Sequence, residues 1–376
     1  MSDRYSRRLF SGIVGAAALV GPAFAEAAHP GDRSADVVNA RAFGAVGDGT
    51  NDDTAALQNA LDAAFGSAQA PIPQTSNRVL FIPSGNYRIT SPLRIRSGFG
   101  GVMLGAGRFA TRIFNAAGGS VLVTNGCQYC RFENMRLSSG QNGVIFDLDW
   151  DGTGTALQSN TFHNIYFDAG SVGLRIGFSG KMGSENLILN CFFERLTLAG
   201  LQTLNFNALQ QTIVGGNFQT CGIGILVSAG SVPTVQGVGF QQSARWDIQV
   251  LNGANDAMSI SGCRSESANF ASINHQAASI CGCSHMSATR TPGTFAQCYQ
   301  PSSITACVSV TGQVDFPSGG TVDSSQFGRD DWIVSYPNHP VFTRTLRTGK
   351  TFVRSGTGTP KNYAMGSWLN ATYTGA

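Results

Sequence analysis

The sequence predicts an all-β chain wound into a single-stranded right-handed parallel β-helix, with an N-terminal capping helix. Three observations carry this. Of the 376 residues 47 are glycine and only 12% are charged, a balance that suits a turn-rich β protein. Helical periodicity is absent after residue 65. The middle of the chain repeats itself at a short period.

The N-terminal residues form a separate element. "SRRLF", Ser6 to Phe10, puts Arg7 and Arg8 before an apolar run, Ile13 to Val20, and "AFA" at Ala23 to Ala25 offers a small-residue cleavage site. That order is an export signal of the twin-arginine kind over residues 1–25, and it predicts a periplasmic or secreted protein. The run is shorter than the roughly 20 apolar residues a spanning helix needs, so membrane insertion is not expected. The net charge of +3 includes the signal arginines, and no basic stripe points to nucleic acid.

The acidic loop "FGAVGDGTNDDTAALQNALDAA", Phe43 to Ala64, comes next, with Asp48, Asp52 and Asp53 among glycines. An EF-hand fails because no Glu closes the loop. A phosphate-binding loop fails because Gly44, Gly47 and Gly49 have the wrong spacing. The reading that fits is structural: Gly47 and Gly49 allow tight turns, and Asp52 or Asp53 caps a helix. That helix presents Leu57, Leu61, Ala64 and Phe65 on one side.

The repeat follows. "FENMRLSSGQNGVIF" from Phe132, "FHNIYFDAGSVGLRI" from Phe162 and "VGGNFQTCGIGILV" from Val214 are variants of one unit. A recurrent apolar position falls at Leu137, Phe167, Phe193, Phe218, Phe240, Cys263 and Cys283, in steps of 30, 26, 25, 22, 23 and 20 residues. Each unit reads as strand, tight turn, strand and loop, and cannot bury its apolar face unless coils stack. A β-propeller is the rival, but its blades need about 40 residues. The repeated region is expected to cover residues 36–315, in roughly ten coils at this period. Asn134, Asn164 and Asn190 recur three residues before the apolar position and predict an asparagine ladder.

"ARAFGAVGDGTNDDTAALQNALDAA", then "VLFIPSGNYRITSPLRI" from Val79, then "GVMLGAGRFATRI" from Gly101, resembles the N-terminal region of pectate-lyase-like proteins. That grouping is described as glycoside hydrolase family 28-related or rhamnogalacturonase/epimerase-like. The resemblance covers about 75 residues and three ordered motifs, and implies the pectin-lyase-like β-helix whose open N-terminal end the helix covers. It implies a polysaccharide partner without fixing a reaction. The Asn-Thr-Asp, Asp-Asp, Gly-His-Gly and Arg-x-Lys signatures of polygalacturonases are missing from the coils, as is the Tyr-Gly-Phe-Asp-Pro-His motif of uronan epimerases. Asp330-Asp331 lies beyond the repeats. No catalytic residue carries over.

The repeat itself proposes a site. If the recurrent Phe residues point inward, alternation sends Asp168, Glu194, Gln219 and Gln241 outward on successive coils, with Tyr166 and Phe192 beside them. Two carboxyls one coil apart could shift each other's pKa, which makes Asp168 and Glu194 the candidate catalytic pair of a retaining glycosidase. In a lyase, the carboxylate pair could instead hold a cation that neutralises a uronate, with Arg195, Tyr166 or His163 as base. The plainer alternative is a solvated polar stripe. The longest step carries "DLDWDGTGT", Asp147 to Thr155, and places Trp150 and Asp151 as candidate substrate contacts with Tyr166, Arg195, Gln219 and Gln241. A calcium-stabilised turn at Asp147, Asp149 and Asp151 also explains that insertion; no other cofactor or metal is expected.

Nine cysteines leave at least one outside any intramolecular disulfide. Cys298–Cys307 is the expected short disulfide, most others are small core residues, and the Cys127/Cys130 spacing lacks the second half of a zinc site. Residues 316–376 are expected to break the repeat and to cap the coil or mediate oligomerisation; by the resemblance, a homotrimer is the expected assembly. The chain is expected to cleave a polysaccharide, as a glycoside hydrolase or lyase on an acidic glycan. The alternative is a non-catalytic scaffold that binds exopolysaccharide.

Overall fold

The computed structural model describes residues 36–66, 78–140, 142–230, 233–251, 257–274, 276–289, 293–327, 332–335, 341–343, 351–355 and 361–363. The expected signal at residues 1–25 lies outside them. The described chain is a parallel β-helix with one α-helix, Thr54–Phe65. Thirteen strands, from Val37–Asn39 to Val341–Thr343, stack in one parallel sheet, and the remaining strands of each coil build the other walls. No helix among the described residues is long and apolar enough to cross a membrane.

Parallel stacking in register puts equivalent residues directly above one another, about 4.8 Å apart. One inward column runs Phe132, Phe162, Ile188, Ile213, Val235, Ile260, Ile280, Ile304 and Val322. A second runs Leu137, Phe167, Phe193, Phe218 and Phe240, as the repeat predicts. It then continues through Ser265, His285 and Ser309, not through Cys263 and Cys283. Those cysteines sit two positions earlier, with Cys307 further along, where each Sγ contacts a carbonyl of its own or the preceding coil.

The turn between the first two walls needs a left-handed residue, which Asn tolerates better than most. Asn134, Asn164 and Asn190 adopt φ of 58°, 54° and 50°, and Asn164 Nδ2 donates to Asn134 Oδ1 at 2.7 Å. The predicted ladder is therefore present at its first step. A second, fully buried amide ladder was not expected: Asn160 Nδ2 donates to Asn186 Oδ1 at 3.0 Å and Asn186 Nδ2 to Gln211 Oε1 at 3.1 Å.

The helix seals the N-terminal end. Leu57, Ala60, Leu61, Ala64 and Phe65 are buried, and Phe65 stacks on Phe132 at 6.3 Å. The acidic loop is architecture, with a change of roles. Asp48 accepts from the Thr50 and Asn51 amides at 2.8 and 2.9 Å, and those bonds pull its carboxyl down to about 2. Asp52 accepts from the Thr54 amide at 3.0 Å. Asp53 stands at the N-cap position but does not cap with its side chain; buried, it turns back to the amides of Val46 and Gly47 at 2.6 and 3.0 Å.

Two expectations change. All nine cysteines are free, eight of them buried. Cys298 lies in the coil wall opposite Ile273, whereas Cys307 stacks on Cys283 in the turn column, so the expected Cys298–Cys307 bridge does not form. Parallel pairing also continues past residue 316: Gly320–Asp323 adds to Ser302–Thr305, Trp332–Ser335 to Gly312–Phe316, and Val341–Thr343 to Gly320–Asp323. Among the described residues the first antiparallel pair is Thr351–Ser355 with Lys361–Tyr363.

Candidate functional site

Two outward columns form the face that the repeat singles out. One carries Arg112, Arg136, Tyr166, Phe192 and Asn217; the other, two residues along each strand, carries Phe114, Ser138, Asp168, Glu194, Gln219 and Gln241. The residue after the second column is left-handed in four successive coils: Ala169, Arg195, Thr220 and Gln242 have φ between 53° and 56°. That bend breaks strand alternation. It swings Arg195 back over Asp168 of the preceding coil instead of outward to solvent.

Asp168 is the most buried carboxylate of this face, at 1% exposure. Arg136 Nε donates to its Oδ2 at 3.0 Å, with Arg136 Nη2 on the same oxygen, and Arg195 Nη2 donates to Oδ1. A carboxylate this buried is tolerable only because both oxygens are paired. Asp168 is thus a clamp holding two guanidiniums. Glu194 differs. Its side chain is 23% exposed, it accepts from the Tyr166 hydroxyl, and Arg195 Nη1 stands 3.8 Å from its Oε1. Tyr166 packs edge-on against Phe192 and Phe109, with ring centroids 6.4 and 5.9 Å apart.

Three arginines that sequence reasoning missed complete the frame. Arg136 is the clamp already described. Arg112 sits one coil below it, with its guanidinium 4.7 Å from the Phe114 ring centroid. Burial depresses its pKa most, and neighbouring Arg136 and then Arg195 add to that against the opposing pull of Asp168. Arg108 comes from the turn at residues 106–110, which reaches along the axis until its guanidinium lies 4.1 Å from the Phe192 centroid. Arg108 Nε and Nη1 and Arg112 Nε are buried and have no hydrogen-bond partner among the described residues. The 30-residue repeat carried a signal for Arg136, since "RLSSGQNG" aligns with "YFDAGSVG"; nothing in the sequence announces the reach of Arg108.

The other candidates divide. Gln219 and Gln241 do continue the Glu194 column on the next two coils. Trp150 and Asp151 do not join it: their loop follows Leu148, which pairs with Ile176 at the far end of the strand Tyr166–Ile176. There Trp150 Nε1 donates to the Thr153 carbonyl and the Asp151 amide to Asn125. His163 faces Glu133 at 3.9 Å on a different wall. The carboxylates of the expected calcium turn also diverge. Asp147 is held by Arg175 at 2.8 and 2.6 Å, Asp149 accepts from the Ser179 amide and Asp151 from the Thr153 amide, both at 2.8 Å. Among the described residues no three His, Cys, Asp or Glu side chains converge on a metal position.

The arrangement offers one partly exposed carboxylate bonded to a phenol, inside a frame of guanidiniums. Such a pair can accept or donate a proton, and the cations favour negative charge developing beside it.

Comparison with known proteins agrees with the fold. The mannuronan C5-epimerase AlgE5 of Azotobacter vinelandii is 40% identical over 52 residues, which is 14% of this chain and only 4% of that protein. The catalytic unit of a thermostable GH87 α-1,3-glucanase from Streptomyces thermodiastaticus superposes with a TM-score of 0.55 at 14% identity, covering 86% of this chain and 71% of that one. The N-terminal fragment of bacteriophage Phi29 gene product 12 gives 0.57 at 14% identity, covering 88% and 73%. At such identities these structures speak to the fold alone. The family model described as rhamnogalacturonase A/epimerase, pectate lyase-like matches residues 37–249. With more than half of its length inside that match, the chain belongs to the rhamnogalacturonase A/epimerase, pectate lyase-like family.

Proposed function

We propose that the protein binds an acidic polysaccharide across the Arg112–Gln241 face and cleaves it by elimination, with Glu194 and Tyr166 as the proton-transferring pair. The observation that carries this reading is the Tyr166–Glu194 hydrogen bond beside a carboxylate, Asp168, that is already closed by Arg136 and Arg195. Hydrolysis with retention needs two available carboxyls about 5 Å apart, and here one is committed to two guanidiniums. Elimination needs less. A base takes the proton α to a uronate carboxylate, the C4–O bond breaks, a C4=C5 double bond forms, and the departing oxygen takes a proton. Arg195 and Arg136, both bonded to Asp168 beside Glu194, would supply the positive charge that favours the enolate. The relatives' names, an epimerase acting on mannuronan and a glucanase, agree with a carbohydrate ligand.

The test is incubation with a panel of uronate-containing and neutral glycans. Ultraviolet absorbance from the unsaturated product is expected, and Glu194→Gln should lower its rate by at least about a hundred-fold, the usual scale for a general acid or base. Reducing ends without that absorbance would indicate hydrolysis instead. Binding with neither product would support the scaffold reading, which the closed Asp168 clamp favours as a purely structural device. The twin-arginine segment makes export part of the same proposal, and cell fractionation of the tagged protein checks it.

A further inference from the structure

We infer that Arg108 and Arg112 are two separate oxyanion-reading positions, and that they hold an anionic glycan running parallel to the coil axis. The inference rests on the reading that an acidic polysaccharide occupies this face. Its physical basis is unpaired charge. Four guanidiniums (Arg108, Arg112, Arg136 and Arg195) share a face with two carboxylates, and Asp168 is used up by Arg136 and Arg195. The second carboxylate, Glu194, has Tyr166 and Arg195 as its neighbours. Among the described residues neither Arg108 nor Arg112 makes an ion pair, and three of their nitrogens are buried without a partner. Buried guanidinium N–H groups are costly when unbonded, so the missing acceptor is best supplied by a ligand.

The spacing sets the direction. Arg112, Arg136, Tyr166 and Phe192 stand on successive coils of one column, and Arg108 lies on Phe192. The backbone of Arg112 therefore stands three coils, about 14 Å at the strand spacing of a sheet, from that of Phe192, on whose ring the Arg108 guanidinium lies. Positions drawn from different coils of one column are met together by a polyanion laid along the axis. Phe109, 78% exposed and edge-on to Tyr166, covers Arg108, so a ligand oxygen reaches that guanidinium once the ring turns aside. A carboxylate and a sulfate ester present the same oxyanion chemistry to a guanidinium.

Binding is measured by calorimetry at low salt with three probes: polygalacturonate, its fully methyl-esterified form, and dextran sulfate. At least one anionic chain is expected to bind and the ester is not; preference between the two anionic chains identifies carboxylate or sulfate as the group read. Arg108→Gln and Arg112→Gln should each weaken binding roughly ten-fold, the scale of a lost charged hydrogen bond. Arg96→Gln, which removes an equal charge beside Asp62 on another part of the surface, should leave it unchanged. Arg108→Lys keeps a cation over Phe192 and should bind better than Arg108→Gln. Four results each overturn the inference: no anionic chain binds, the ester binds as tightly, the Gln variants of Arg108 and Arg112 bind like wild type, or a folded Arg108→Lys is as weak as Arg108→Gln. An undiminished cleavage rate in Glu194→Gln would strike the proposed reaction and leave these binding results standing.

Discussion

The two halves of the coil interior solve one packing problem in opposite ways. Up to Phe240 the large residue comes from the wall that begins the site: Phe167, Phe193, Phe218 and Phe240 stack at 4.7, 4.4 and 5.3 Å. The facing column is then glycine. A Cβ on Gly173, Gly200 or Gly224 would meet the ring of Phe193, Phe218 or Phe240 at 2.7, 2.4 or 3.0 Å. Beyond Phe240 the roles exchange. Ser265, His285 and Ser309 occupy the former aromatic column, and the facing column supplies Phe270 and Phe295, stacked at 5.4 Å. Each coil needs one bulky group to reach close packing, and either wall can provide it. The aromatic spine therefore crosses the interior between Phe240 and Phe270, whose rings meet edge-on at 6.0 Å.

Asp247 marks the crossing. It is fully buried, accepts from the Ser265 hydroxyl, and has a second oxygen, Oδ1, without a partner. Burial raises its pKa from the ordinary 3.8 to about 7, against the opposing pull of the Ser265 bond and the nearby Ser267 and Ser243 hydroxyls. The folded state thus holds a proton that the unfolded chain releases. The stabilisation is complete below about pH 4 and is lost as pH rises through about 7. The whole swing is up to about 4 kcal/mol. His285, whose pKa is depressed by burial, acts in the other direction as the solution is acidified. Urea melts of Asp247→Asn and wild type across this range isolate the carboxyl by difference: the gap between them should change steadily with pH. A constant gap would mean the crossing carries no titrating group.

Gly200→Ala attacks the first half directly. Its Cβ would press on the Phe218 ring and lie 2.7 Å from the Gly224 carbonyl oxygen. A loss of about 3 kcal/mol is expected in denaturant melts. Phe218→Leu in the same chain should restore part of it, because the two columns share one volume; strict additivity would show that they do not. The smallest effect belongs to the turn. Asn164→Ala removes the side-chain bond to Asn134 and leaves a non-glycine residue at φ 54°, for about 1 kcal/mol in the same melts. Asn164→Gly should cost less, since glycine accepts that conformation freely.

Legibility follows the same division. The aromatic half could be read because Phe recurs visibly at Phe167, Phe193, Phe218 and Phe240. The second half misled because a buried Ser or His does not look like core, and Cys263 and Cys283, two positions away, do. The helical plug was legible from its apolar side, but the role of Asp53 was not, since capping and loop-bracing use the same residue type at the same place. At the site, Tyr166, Glu194 and Arg195 could be found from the repeat. The fate of Asp168 could not, because it depends on a left-handed Arg195 and on an arginine one coil below. Arg108 was hidden for a third reason: its turn departs from its own coil and acts three coils away.

The stack of Phe65 on Phe132 has a consequence for how the molecule comes apart. Because each coil touches chiefly its neighbours, the coil behaves as a one-dimensional array whose loss can proceed from a free end. The helix Thr54–Phe65 closes one of those ends with five buried residues, so fraying there must first lift the whole plug. Loss of coils beyond Gln241 leaves the Arg112–Gln241 face intact, whereas loss from the helix end must lift the plug before it meets that face.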